Sequence, residues 1–65
     1  MTRRIDLLRY VKNTAGNATL QDFIIDWEPI GGLAWDDLSK KGYVTLNEEG
    51  KIALTEEGQK YHDGN

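Results

Sequence analysis

The sequence predicts an α+β domain, mostly helical, in which three helices lead into a two-strand antiparallel hairpin and a short C-terminal helix. Three observations predict it. Apolar residues recur at helical spacing in three successive segments of the first forty or so residues. Two short alternating runs, residues 43–46 and 51–54, flank Asn47-Glu48-Glu49-Gly50 as hairpin strands flank a loop. Thr55, followed by Glu56 and Glu57, has the makings of an N-cap with an acidic first turn behind it.

The first helix is expected over residues 3–15, with Thr2 as N-cap and Gly16 as the natural stop. Leu7, Leu8, Val11 and Ala15 fall in one arc with Ile5 at its edge, while Arg3, Asp6, Arg9 and Tyr10 project elsewhere. Thr19 caps the second helix, with Asp22 three residues on as a weak capping box. Leu20, Phe23, Ile24 and Trp27 follow at i, i+3, i+4 and i+7, the pattern of one buried face. Ile25 stands off that face, either as a lone surface residue or as the edge of a contact surface. Glu28-Pro29-Ile30-Gly31-Gly32 breaks the helix and reads as an interhelical turn; it lacks the strand and the Lys-Ser or Lys-Thr of a phosphate-binding loop.

The third helix is expected over residues 33–41, ending at Gly42. Ala34, Trp35 and Leu38 share its core face; Leu33, Asp36, Asp37 and Lys40 share the opposite one. In the hairpin, Val44, Leu46, Ile52 and Leu54 are the inward candidates, and Gly50 supplies the positive φ of the loop. Residues 62–65 form a frayed tail.

All 65 residues make one domain, near the lower limit for folding on a hydrophobic core alone. With no cysteine and one histidine, neither a disulfide nor a metal site is expected to staple it, and no cofactor is expected. The core falls to aliphatic residues, Phe23, Trp27, Trp35 and some tyrosines. A core this small leaves homodimerisation, or folding against a partner, open. No run approaches the roughly 18 apolar residues of a membrane span, and no apolar block follows Met1-Thr2-Arg3-Arg4. The expectation is a cytoplasmic protein that does not enter membranes.

The formal charge of −3 hides an asymmetry. Residues 1–17 carry Arg3, Arg4, Arg9 and Lys12 against Asp6; residues 18–39 carry Asp22, Asp26, Glu28, Asp36 and Asp37 with no base. Dedicated nucleic-acid binders are more often basic overall.

Three stretches taken together resemble the winged helix-turn-helix domains of small prokaryotic and phage transcription regulators. Thr19-Leu20-Gln21-Asp22-Phe23-Ile24 is similar to the opening of their second helix. Trp35-Asp36-Asp37-Leu38-Ser39-Lys40-Lys41-Gly42-Tyr43-Val44 is similar to a recognition helix running into the first wing strand, and Leu54-Thr55-Glu56-Glu57-Gly58 to the junction after the wing. The resemblance covers residues 3–61. It implies a DNA-binding transcription regulator whose third helix and wing meet double-stranded DNA through Leu33, Asp36, Asp37, Lys40, Lys41 and Lys51. Three departures qualify it. The run from Thr19 to Gly42 is about one turn short, Ile30-Gly31-Gly32-Leu33 stands where Ser, Thr or Arg usually meets DNA, and Asp36 and Asp37 stand where Lys or Arg is common.

The alternative expectation is a protein–protein interaction module that uses the acidic third-helix face or the basic first helix, Arg3, Arg4, Arg9 and Lys12. Those four bases also read simply as a solvated face, and Lys40 and Lys41 as cations offsetting the helix dipole. Trp27 and Trp35 read as core residues rather than base-stacking platforms. An enzyme is not expected: there is no thiol, His62 sits in the tail, and Asp36/Asp37, Glu48/Glu49 and Glu56/Glu57 are sequence neighbours that do not face each other across a cleft.

Overall fold

A computed structural model describes residues 3–64. Its elements are α1 (Arg4–Thr14), α2 (Leu20–Asp26), α3 (Gly31–Lys40), β1 (Val44–Leu46), β2 (Ile52–Leu54) and α4 (Glu56–Asp63). The fold is α+β and mostly helical, with four helices and one two-strand antiparallel sheet. The proposed cap Thr2 lies outside the described residues. Within them, the Arg3 backbone N–H donates to the Asp6 carboxylate at 3.4 Å and closes the start of α1.

Leu7, Leu8 and Val11 of α1 are buried as their spacing predicts. The helix ends one residue earlier than expected, on Ala15, whose φ of 51° is left-handed before Gly16 takes over. Ala15 therefore turns outward to solvent, and Ala18 joins the core in its place. Tyr10 is a second correction. It turns inward, meeting Phe23 and Trp27 edge-on with ring centroids 5.8 Å away in each case. Its hydroxyl donates to the Asp26 carboxylate, which provides the polar end of a large half-buried ring with a partner.

The α2 capping box forms in full. The Asp22 N–H donates to Thr19 Oγ1 at 3.1 Å and the Thr19 N–H to Asp22 Oδ2 at 3.0 Å. The Thr19 N–H bond favours the ionised carboxylate and, with the Thr19 hydroxyl second, holds the Asp22 carboxyl below its ordinary value. Phe23 is fully buried, with Tyr10, Trp27 and Trp35 around it. The two tryptophans are half-buried, packed against the core rather than enclosed by it.

The third helix starts two residues before its expected position. Gly31 and Gly32 form its first turn, and the connection shrinks to Trp27 through Ile30. Gly31 is buried for a steric reason: a Cβ there would lie 2.5 Å from the Ile24 carbonyl oxygen and 2.6 Å from Ile24 Cα. The glycine lets α2 and α3 touch backbone to backbone. At its other end α3 closes in a Schellman motif. The Tyr43 N–H donates to the Leu38 carbonyl and the Gly42 N–H to that of Ser39, each at 3.0 Å, with Gly42 at φ 75°.

The hairpin pairs Val44 with Leu54, Thr45 with Ala53 and Leu46 with Ile52. Val44 and Ile52 are buried, whereas Leu46, expected inside, is 45 % exposed. An isolated bridge between Thr19 and Lys51, with the Ile52 N–H donating to the Ala18 carbonyl at 2.9 Å, ties β2 to the start of α2. In the loop, Asn47 Oδ1 accepts from the N–H groups of Glu49 and Lys51 at 2.9 and 3.0 Å. Gly50 sits at φ 79° with open space around it, so only its backbone conformation demands glycine. Gly50→Val is expected to lower stability by about 1–2 kcal/mol, the cost of a β-branched residue in the left-handed region. Denaturant titration checks this, and an unchanged midpoint would contradict the loop conformation.

The helix α4 reaches further than the expected start of the tail. It continues through His62 to Asp63, two residues into the stretch expected as a tail; Asn65 lies outside the described residues. The Thr55 hydroxyl accepts from the Gly58 N–H at 3.0 Å and donates to the Gly42 carbonyl. The Tyr61 ring packs on that of Tyr43 with centroids 4.8 Å apart. Asp63 accepts from the Gln59 amide at 2.8 Å and reaches Lys12 of α1 at 3.7 Å.

Candidate interaction surface

The residues expected to contact a ligand fall into two groups. Leu33, Asp36 and Lys40 lie on the outer face of α3, and Leu33 is 77 % exposed. Asp37 leaves that face. It turns to the seam with α1, where the Arg4 guanidinium donates to it at 3.0 Å, with Lys41 at 3.8 Å on its other oxygen. The hydrogen bond from Arg4 holds the Asp37 carboxyl below its ordinary value and raises Arg4 in turn, with a smaller contribution to Arg4 from the Tyr61 hydroxyl. Asp37 thus clasps two helices.

The two expected patches are therefore not separate: one member of the basic first helix is engaged by one member of the acidic third. The remaining bases of α1 are paired too. Arg3 and Arg9 both approach Asp6, at 3.8 and 3.6 Å, and Lys12 approaches Asp63. On α3, Lys40 lies 3.0 Å from Asp36, an i,i+4 pair. On α4, Lys60 lies near Glu56 and Glu57. Among the described residues, Lys51 is the one Lys or Arg without an ion pair.

Carboxylates are in surplus after this pairing. Asp22, Asp26, Glu28, Glu48 and Glu49 have no ion-pair partner among the described residues. Three of them belong to α2 and the turn behind it; the other two sit at the hairpin tip beside Lys51. Exposed ion pairs are weak, typically below about 1 kcal/mol. Their effect here is on the field: each described Lys and Arg but Lys51 has an acid in an ion pair at its side, and no stripe of uncompensated positive charge joins Lys40, Lys41 and Lys51.

Apolar exposure is concentrated in one segment. Ile25, Ile30 and Leu33 are 54 %, 39 % and 77 % exposed, and only Leu46 among the other large apolar residues described is comparably open. Leu33 is expected from its place opposite the core face of the third helix and Ile25, as an open alternative, from its place off the buried face of the second; Ile30 lies in a stretch that reads as a turn through Gly32. Elsewhere, His62 Nδ1 lies 3.2 Å from Asp63 Oδ1, so the histidine has an adjacent carboxylate that sequence reading did not assign to it. The described residues enclose no pocket, and no group of three His, Asp or Glu among them is placed to hold a metal ion. No helix among them is long and apolar enough to cross a membrane. Comparison with protein-family models, with curated proteins and with solved structures gives no match to this chain.

Proposed function

We propose that this chain is a winged-helix protein–protein interaction module that works through the exposed surface of α3 and the segment leading into it. The observation that carries the reading is the charge pairing: of the candidate cations, only Lys51 is without an ion pair among the described residues. Affinity for duplex DNA is built largely from cation–phosphate contacts. Here Asp36 and Asp37 lie against Lys40 and Lys41, and Glu48 and Glu49 flank the loop that carries Lys51. A phosphate approaching α3 meets as much negative charge as positive. The same surface offers Leu33 and Ile30 to solvent, and exposed aliphatic side chains are what a protein partner desolvates.

A second reading, a small DNA-binding regulator, is favoured by the order of helices and hairpin and by Lys51 at the base of the loop. It requires Lys40, Lys41 and Lys51 to meet phosphate together. Fluorescence anisotropy with duplex DNA at low salt, paired with capture of partners from the native host, separates the two. The expected result is no saturable DNA binding, with a captured protein whose binding is weakened by Leu33→Ser and slowed in association by Asp36→Asn. Saturable DNA binding that Asp36→Asn strengthens and Lys51→Ala weakens would overturn the interaction reading and establish the regulator. Asp36 is the clean reporter, because Asp37→Asn would also break the clasp with Arg4.

A further inference from the structure

We infer that the outer edge of β1 is an interface between two copies of this chain, paired antiparallel with Thr45 on the two-fold axis. The ladder decides which backbone groups face outward. The Thr55 N–H donates to the Tyr43 carbonyl at 3.0 Å and the Asn47 N–H to that of Lys51 at 2.8 Å, so residues 43 and 47 turn their polar groups toward β2. Antiparallel pairs alternate between bonded and non-bonded. Thr45 therefore also faces β2, opposite Ala53, while Val44 and Leu46 direct their N–H and C=O groups away from it. The Ile52 N–H, opposite Leu46, agrees with this parity: it leaves the hairpin on the far side and donates to the Ala18 carbonyl at 2.9 Å.

The two edges of the hairpin thus differ. That of β2 is closed by Ala18 and by the bridge from Thr19 to Lys51. On that of β1, neither the Val44 N–H nor the Leu46 N–H has a backbone acceptor outside the ladder among the described residues, and the Leu46 carbonyl takes only a long contact of 3.5 Å from the Thr45 hydroxyl. Edge strands are commonly guarded by charge, proline or a bulge. Val44-Thr45-Leu46 carries none of these, and beyond the buried Val44 both Thr45 and Leu46 are exposed. A second copy fits because this edge is complementary to itself. Val44 and Leu46 flank Thr45 evenly, so a two-fold axis at Thr45 sets Val44 of each copy opposite Leu46 of the other, and every outward N–H meets an outward carbonyl. Leu46, left 45 % exposed by its own hairpin, then lies beside Val44 of the other copy. The same register carries each hairpin tip toward the end of the other copy's α3. Glu48 and Glu49 at the tip have no ion pair among the described residues, and Lys40 and Lys41 at that end are paired only within their own helix. The charges that approach are therefore opposite in sign. The pairing does not depend on what α3 binds.

The test is sedimentation equilibrium of the full chain and of Thr45→Glu and Thr45→Lys, each alone and the two mixed. Thr45 is exposed, and side chains facing each other across such a pair have Cβ atoms only about 4.5–5.5 Å apart. The parent is expected to dimerise. Each variant alone is expected to associate about tenfold more weakly, through like-charge repulsion at the axis, and the mixture to recover at least the parent's affinity. In Leu46→Pro the lost N–H is one the hairpin does not use, so dimerisation is expected to vanish while cooperative unfolding remains. Hydrogen exchange reads the register: the Leu46 amide is expected to lose protection on dilution, and the Thr45 amide, bonded to Ala53, to keep it. A parent that stays monomeric at the highest soluble concentration, a mixture no tighter than its components, or a Leu46→Pro chain that still dimerises would overturn the interface.

Discussion

Phe23→Ala is expected to abolish the cooperative thermal transition of this domain at ordinary temperatures. Phe23 is fully buried and is the common neighbour of Tyr10, Trp27 and Trp35, with ring centroids at 5.8, 6.4 and 5.4 Å. Truncating a buried phenylalanine costs on the order of 3–5 kcal/mol from lost burial and the cavity left behind. Three aromatic pairings disappear with it, two of them edge-on, each contributing about 0.5–1.5 kcal/mol beyond area. A chain of this length has a total stability of only roughly 3–10 kcal/mol. The loss is thus comparable with everything the fold has. Trp27→Ala and Trp35→Ala are expected to cost less, because both rings are half-exposed. Circular dichroism on heating, with tryptophan emission as a second probe, measures all three. A Phe23→Ala midpoint close to that of the parent, with emission unshifted, would contradict the placement of Phe23 at the centre of the aromatic cluster.

The features legible in the sequence are those set by local chemistry. The α2 capping box is written in Thr19 and Asp22, the α3 stop in Gly42, and the hairpin turn in Asn47 and Gly50; each forms as its residue type requires. The misreadings arise where a distant backbone decides the outcome. Gly31 and Gly32 look like turn residues because glycine is a helix breaker by propensity. Gly31 is instead helical because only glycine fits against Ile24, seven residues back, and that fit cannot be read from local preference. Tyr10 reads as outward because it falls off the apolar arc of the helical wheel; Asp26, sixteen residues on, accepts its hydroxyl and draws the ring inside.

The candidate site divides in the same way. The Asp36–Lys40 and Asp37–Lys41 pairs follow from i,i+4 spacing and were open to inspection in the chain. The Arg4–Asp37 clasp spans 33 residues and depends on how α1 and α3 are packed. Without it, a basic first helix and an acidic third helix look like two independent surfaces. With it, Asp37 becomes part of the scaffold, and the surplus negative charge moves to α2 and the turn, which sequence reading had not singled out for binding.

Gly58→Ala is expected to destabilise by about 3 kcal/mol, the upper end of the usual range for overpacking, although helix propensity alone predicts a gain of about 1 kcal/mol. Gly58 is buried in the first turn of α4, directly over the start of β1. A Cβ there would lie 2.0 Å from the Tyr43 carbonyl oxygen and 2.9 Å from its carbon. These are backbone atoms, so no side-chain rotation relieves the overlap. The Tyr43 carbonyl is moreover fixed by the Thr55 N–H at 3.0 Å, and the Gly58 N–H by the Thr55 hydroxyl at the same distance. Relief requires α4 to lift, and that movement strains both bonds and separates the Tyr61 ring from Tyr43. Gly32→Ala is the matched control. It too is helical, its Cβ position is open, and there the propensity gain should appear as a higher midpoint. Opposite signs for the two substitutions in denaturant titration are the expected outcome. A Gly58→Ala midpoint raised alongside that of Gly32→Ala would mean that α4 does not rest on the Tyr43 backbone.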